Sequence, residues 1–272
     1  MQTMDQLISI AHIPDNNTLL RFGFKFGKNS AHTARTMMVN ELRTLLSWVD
    51  NPEAEKEEYI KAIVEDNCLG KRTAKNRELT ARHLIELYAL DSSVAIFRAL
   101  RFFWEKDHAG QNLLALLCAY ARDTLLRLCV LYVLHLAEGS LIDLGSLINY
   151  IKQREPYRFS NVTIKSIAQN ISATFTKSGH LRGRSLKIRA RAKATPGTIS
   201  YALFLGYLNG IRGQLLFNTE YIELLDSSKV QLIEMAEEAS RCDWILFKHI
   251  GNIIEVAFPR LLNAKELEWI RE

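Results

Sequence analysis

Apolar residues recur along most of this chain with helical spacing. Leu, Phe, Met and Trp return every three or four positions, which predicts amphipathic helices with one buried stripe. The clearest such stretches are residues 31–49, 91–106, 111–137 and 218–241. Asp91 and Asp123 stand where N-caps are expected. Each of the five prolines falls between apolar-periodic stretches, where helices end. The pattern predicts a mainly α-helical protein.

Two places depart from the helical period. Residues 186–193 (LKIRARAK) alternate strictly, which predicts a half-buried strand. Leu186, Ile188, Ala190 and Ala192 would pack inward, whereas the intervening basic side chains would face solvent. Near the C-terminus, residues 244–249 and 253–258 predict a β-hairpin across Ile250-Gly251-Asn252.

Residues 140–193 have the order of a winged helix. A helix at 143–153 ends at Glu155-Pro156, and Ser160 can cap a second helix at 161–178. Gly179 is suited to end that helix, and the basic hairpin follows. The second helix would enter the major groove of DNA while the wing holds flanking phosphates. A surface hairpin with solvated charges, or a helix pair with a purely structural role, is the alternative. The expected fold class is a mainly α protein with winged helix-turn-helix units and short β-hairpins.

Three segments follow from these elements. Residues 1–137 form an N-terminal helical domain with a candidate helix-turn-helix at 59–88. Residues 138–195 form the winged helix-turn-helix, and residues 196–272 form a C-terminal helical segment with a β-hairpin. Within 59–88, Gly70 precedes the basic run 71–77 at the start of a helix, where partial positive charge favours phosphate. A solvated helix start explains the same run about equally well.

The net charge of +5 is unevenly distributed. No Asp or Glu lies between Glu155 and Glu220, a gap of 64 residues that holds ten Lys and Arg. The rest of the chain carries 25 basic and 30 acidic residues. Such segregation costs self-repulsion unless a polyanion neutralises it, which favours nucleic acid as a partner. The predicted nucleic-acid contacts are Lys165, Gln169, Asn170, Lys177, Arg182, Arg184, Lys187, Arg189, Arg191 and Lys193, with Lys71, Arg72, Lys75 and Arg77 as a second set.

Other features narrow the function class. The four cysteines show no CxxC pairing, and residues 1–10 lack the basic and apolar regions of a signal peptide, so a cytoplasmic location is expected. Residues 194–211 are uncharged but contain Pro, Gly and Thr, which favours a buried helix over a membrane span.

GFKFGKNS at 23–30 lacks the first Gly and the Ser or Thr of a phosphate-binding loop. Many metal-dependent nucleases require an Asp or Glu two positions before a Lys, and no Asp or Glu of this chain stands at that spacing. We therefore expect a protein that is not an enzyme and has no cofactor or metal.

The order of these features resembles a known family. The basic helix pair at 59–88, the segment YRFSNVTIKSIAQNISATFTKSGHLRG, the basic strand, an apolar Gly-rich helix and the hairpin IIEVAFPRLL are similar to the BrxA-like (DUF1819) proteins of bacteriophage-exclusion (BREX) loci. The resemblance covers roughly residues 30–260. It implies a bacterial, non-enzymatic accessory of phage defence that binds double-stranded DNA and contacts other defence proteins. An RNA-binding or antitermination module and a protein-interaction scaffold are the alternatives.

Overall fold

A computed structural model describes residues 14–251 and 253–271 of the chain. It is mainly helical, and this confirms the predicted fold class. The N-terminal part contains α1 (Asn16–Phe22), α2 (Val39–Trp48), α3 (Lys56–Val64), α4 (Ala74–Tyr88), α5 (Ala95–Lys106), α6 (Gln111–Arg122) and α7 (Thr124–Leu134). The middle part contains β1 (Leu141–Ile142), α8 (Leu144–Arg154), α9 (Asn161–Lys177), β2 (Leu181–Arg182) and β3 (Lys187–Arg189). The C-terminal part contains α10 (Pro196–Leu208), α11 (Glu220–Glu223), α12 (Lys229–Arg241), β4 (Leu246–Ile250), β5 (Ile253–Ala257) and α13 (Ala264–Arg271). The segment whose composition argued against a signal peptide lies outside the described residues.

The predicted helix at 31–49 is interrupted. A 3-10 turn at Ala31–Thr33 is followed by non-helical backbone through Met38, and α2 begins at Val39. The backbone groups of Met37 have tertiary partners, because its N–H donates to Thr174 Oγ1 (2.9 Å) and its carbonyl accepts from the Tyr88 hydroxyl. These bonds replace the helical ones that the pattern predicted.

The two predicted acidic N-caps have different outcomes. Asp123 caps α7 by accepting from the N–H of Leu126 (2.9 Å), and it divides the long apolar stretch into α6 and α7. The prediction for Asp91 is wrong, because α5 begins at Ala95. Asp91 instead accepts from the backbone N–H and the hydroxyl of Ser93 in the turn before the helix. Short acidic side chains stabilise such turns as readily as helix starts.

The middle part has the element order of a winged helix. Strands β1, β3 and β2 form one antiparallel sheet with β3 in the centre, and α8 packs on α9. Ser160 caps α9 by accepting from the N–H of Thr163 (3.2 Å), and Gly179 follows the helix with φ +91°, both as predicted. Residues 182–187, from the last residue of β2 to the first residue of β3, form the wing. Gly183 has φ +98°, and a Cβ there would lie 2.1 Å from the carbonyl oxygen of Leu186, so only glycine fits.

Helix α10 joins the C-terminal part to the N-terminal helices. It packs against α5, α6 and α12, and nearly all its side chains are buried. The uncharged stretch at 194–211 therefore forms a buried helix, as predicted. Across residues 14–251 and 253–271, none of the helices has both the length and the apolar character needed to cross a membrane. The predicted C-terminal hairpin is also present, with β4 and β5 antiparallel.

Candidate nucleic-acid interface

A groove of about 700 Å³ separates α9 from the wing. Gln169 and Ala173 line one wall, and the wing residues Arg184, Leu186 and Lys187 line another. The tertiary structure thus brings a residue of the predicted recognition helix and two predicted wing cations to one surface. Leu186 is 71% exposed, contrary to its predicted inward packing, because it lies in the wing beyond the paired residues of β3.

The N-terminal half of α9 presents an open polar stripe. Asn161, Lys165 and Gln169 are exposed and follow one another at intervals of four residues, so they share one side of the helix. Val162 lies beside them and is 78% exposed. Lys165 and Gln169 were predicted from the sequence, whereas Asn161 and Val162 were not. Their position just after the Ser160 cap could have indicated them, because recognition helices contact base edges through their first turns.

Asn170 and Lys177 were predicted as nucleic-acid contacts, but neither belongs to this open stripe. Asn170 Nδ2 donates to the carbonyl oxygen of His32 (3.1 Å), and Lys177 Nζ donates to Thr36 Oγ1 (3.1 Å). Thr174 lies between them and is fully buried. This side of α9 packs against the segment that precedes α2, so its polar side chains stabilise the fold.

A buried polar cluster holds that contact together. Asp123 Oδ1 accepts from Ser30 Oγ (2.7 Å), Asp123 Oδ2 lies 3.0 Å from His32 Nδ1, and His32 Nε2 lies 2.9 Å from Thr174 Oγ1. Burial by itself raises the pKa of Asp123, but the charge and hydrogen bonds of His32 and Ser30 outweigh it and lower the pKa to about 2. The cluster joins residues from three separate parts of the chain, and its polar side chains bind one another.

Arg189 is the main correction to the predicted wing. It was expected to face solvent, yet it is 4% exposed and its Nη1 lies 2.8 Å from Asp226 Oδ2. The same guanidinium donates to the carbonyl oxygen of His180 (3.4 Å). The cause is that β3 is the central strand and the segment between α11 and α12 covers its second face. A strand with both faces covered buries both sets of side chains, whatever its alternation.

The other basic residues of this region differ in how free they are. Arg182, Arg184 and Lys193 are exposed. Lys187 is partly buried, and its Nζ donates to the carbonyl oxygen of Gly183 (2.7 Å). Arg191 is exposed but lies 3.1 Å from a carboxylate oxygen of Glu138. The free wing cations are therefore concentrated at residues 182 and 184.

The second basic set lies at the start of α4. Thr73 caps this helix by accepting from the N–H of Asn76 (3.2 Å), and α4 packs on α3. Lys71 is drawn into an ion pair with Glu41 (3.2 Å), so it is not a free phosphate ligand, and Arg77 is partly buried. Arg72 and Lys75 remain exposed, as predicted.

Comparison with protein-family models and with curated proteins gives no match to this chain. In the part of the chain that the structure describes, no three His, Cys, Asp or Glu side chains are grouped closely enough to hold a metal ion.

Proposed function

We propose that this protein binds double-stranded DNA without catalysing a reaction on it, and that it does so through the α9–wing groove. One observation carries the proposal: Gln169 of α9 lines the same groove as Arg184 and Lys187 of the wing. A base-reading side chain and phosphate-binding cations must lie on one surface to contact one duplex, and residues distant in sequence meet that condition here.

Helix α9 and the wing, which flank the groove, suit different parts of DNA. The stripe of Asn161, Lys165 and Gln169 combines amide and ammonium groups that can pair with purine edges in the major groove. Val162 supplies an apolar contact of the kind made with a thymine methyl group. Arg182 and Arg184 extend from the wing, where they can reach phosphates beside the site.

The surrounding charge supports the same partner. The 64 residues between Glu155 and Glu220 contain no acid, and the exposed cations at 165, 182, 184 and 193 belong to this segment. The proposed interface does not include Asn170, Lys177 and Arg189, because their side chains bond to other residues of the chain. The exposed cations at 165, 182, 184 and 193, with or without Arg191, can neutralise about four or five phosphates.

The test is a binding series with a labelled DNA duplex, an RNA duplex and single strands of the same sequence, measured by fluorescence anisotropy at increasing salt. We expect the DNA duplex to bind most tightly, with log affinity falling against log salt with a slope of about −3.6 to −4.5. Preferred binding of duplex RNA would favour the RNA-binding alternative. A protein that binds none of these nucleic acids would favour the remaining alternative, a protein-interaction scaffold.

The resemblance to BrxA-like proteins extends the proposal to a biological role. We propose a cytoplasmic accessory of a bacterial phage-defence system that brings other defence proteins to DNA. Co-purification of tagged protein from its native host, with and without nuclease treatment, tests this role. Partners encoded beside this chain that stay bound after nuclease treatment are expected, whereas a complete absence of such partners contradicts it.

A further inference from the structure

A second cavity, of about 560 Å³, lies on a different part of the molecule. Its walls come from the loop before the 3-10 turn, from α4 and from the connection between α8 and α9. It shares no lining residue with the α9–wing groove. A cavity of this size falls within the range of small-molecule sites.

The lining is strongly basic. Lys28, Arg82 and Arg158 face the cavity, and Glu86 is the one carboxylate among its lining residues. Lys28 and Arg82 are exposed, and neither side chain has a hydrogen bond or ion pair with any other residue in the described ranges. Glu86 accepts from His83 Nδ1 (3.3 Å), which lowers the pKa of Glu86 although burial opposes this, so the carboxylate stays charged. Because Glu155 pairs with Arg158 and Glu86 offsets one further cation, the cavity keeps an excess of one positive charge.

Arg158 is held in place while the other two cations are free. It forms an ion pair with Glu155 (2.9 Å) and donates to the carbonyl oxygen of Lys28. Its guanidinium lies 4.6 Å from the centre of the Phe159 ring, which also lines the cavity. The cavity therefore combines two cations without partners among the described residues and an aromatic and guanidinium pair of the kind on which nucleobases stack.

The hydroxyls in the lining do not add free donors. Ser30 Oγ donates to Asp123 Oδ1 (2.7 Å), and Thr33 Oγ1 donates to the carbonyl oxygen of Ser30 (2.8 Å). The donors left for a ligand are Lys28, Arg82, the remaining N–H groups of Arg158 and the amide of Asn29. This set, three cations and one amide, matches the acceptor oxygens of a phosphate group.

We propose that this cavity binds a nucleoside phosphate, with its phosphate at Lys28 and Arg82 and its base against Phe159. The nucleotide can be free in solution or part of a nucleic-acid strand, since the chemistry that recognises it is the same. The site does not depend on the proposed function of the α9–wing groove, because the two surfaces have no residue in common.

The experiment measures binding of ATP, AMP and inorganic phosphate to the full chain by calorimetry. Lys28→Gln with Arg82→Gln removes both free cations, and Lys61→Gln with Arg241→Gln makes the same charge change on exposed residues elsewhere. We expect saturable ATP binding that is at least about tenfold weaker in the first double variant and unchanged in the control. Glu86→Gln removes the carboxylate and should tighten ATP binding roughly two- to fivefold, a gain that misfolding would not produce.

A second arm identifies the source of the nucleotide. If ATP and AMP do not bind, but Lys28→Gln with Arg82→Gln weakens binding to a DNA duplex or single strand several-fold more than the control, the ligand is a nucleotide of a nucleic acid. The proposal is overturned if the two double variants behave alike toward every probe, or if only inorganic phosphate binds. A parent protein that binds no nucleic acid refutes the proposed function alone, and the ATP measurements then decide this site.

Discussion

Single residues of the same type have opposite roles in this protein. Arg184 and Arg189 both belong to the basic hairpin, but Arg184 lies in the exposed wing and Arg189 is buried against Asp226. Gln169 and Asn170 are neighbours on α9, yet the first lines a groove and the second donates to a backbone carbonyl. A residue's neighbours in space, and not its type, decide which of these residues are available to a ligand.

Arg189→Ala is expected to destabilise the fold. Removing the guanidinium leaves Asp226 without its 2.8 Å partner in a mostly buried position, which costs about 3 kcal/mol in free energy of unfolding. Arg184→Ala on the exposed wing should change that free energy by less than about 0.5 kcal/mol. Urea unfolding of both variants measures the difference. Equal stability of the two would contradict the buried ion pair.

Gln169→Ala and Asn170→Ala should separate recognition from folding. Loss of Gln169 should change the preference among DNA sequences by roughly 1–3 kcal/mol at the position that it contacts, with stability unchanged. Loss of Asn170 removes a hydrogen bond to His32 and should lower stability by about 1 kcal/mol, with sequence preference unchanged. A binding-site selection on each variant, alongside thermal unfolding, tests the pair. If only the Asn170 variant changes its preference among DNA sequences, Asn170 and not Gln169 contacts the bases.

At the scale of elements, the wing and α9 divide the proposed work of binding. The wing is short, because Gly183 turns the chain directly after β2 and β3 contains only Lys187–Arg189. Its free cations can reach phosphates but lie on flexible side chains with no fixed partner. The stripe on α9 is held by the packing of the opposite helix face on residues 32–38. Rigid presentation suits base reading, and flexible cations suit phosphate contact.

Arg182→Ala with Arg184→Ala should weaken binding to all duplexes about equally. Phosphate contacts carry little sequence information, and the loss of two should reduce the steepness of the salt dependence by about two. The same measurement on Lys61→Ala with Arg241→Ala controls for net charge. The wing does not contact DNA if the two double variants have the same salt dependence.

At the scale of the whole molecule, buried polar contacts join the winged helix to both of its neighbours. The cluster of Asp123, His32 and Thr174 joins α9 to the N-terminal part. His180, which follows α9, lies 2.9 Å through Nε2 from the carbonyl oxygen of Leu224 in the C-terminal part. Since a carbonyl oxygen only accepts, the neutral ring carries its proton on Nε2. The winged helix is therefore fixed between two parts of the molecule.

These two sites predict how stability depends on pH. Burial lowers the pKa of His180 from 6.5 to about 4, so only the unfolded chain takes up a proton in that range, and the free energy of unfolding falls as pH drops from 6.5 to about 4. Asp123 has its pKa lowered from 3.8 to about 2, so stability falls again as pH drops through that lower range. The upper stage amounts to about 3 kcal/mol and the lower stage to about 2 kcal/mol.

Chemical unfolding measured across pH 2 to 8 checks both stages. His180→Gln should flatten the upper stage and leave the lower one, whereas Asp123→Asn should do the reverse. A parent slope between pH 6.5 and 4 that persists in His180→Gln would assign that stage to another group.

The sequence by itself determined the features that depend on local spacing and on single-residue chemistry. The helical periods, the caps at Ser160 and Asp123, the glycine after α9, the buried α10 and the acid-free basic segment could all be predicted, because each rests on residues within a few positions of one another. Exposed members of the candidate site, such as Arg184 and Gln169, could also be predicted from the sequence, for the same reason.

Only the tertiary structure decided which polar residues are free. The non-helical backbone before α2 depends on the hydrogen bond from Met37 to Thr174, and the burial of Arg189 depends on its ion pair with Asp226. The two residues of each pair are far apart in the sequence. The basic cavity likewise joins Lys28, Arg82 and Arg158 from three segments whose separate patterns give no sign of one another. Alternation predicts only that two sides of a strand differ. Whether the second side meets water or another part of the chain is a property of packing, and no local pattern contains it.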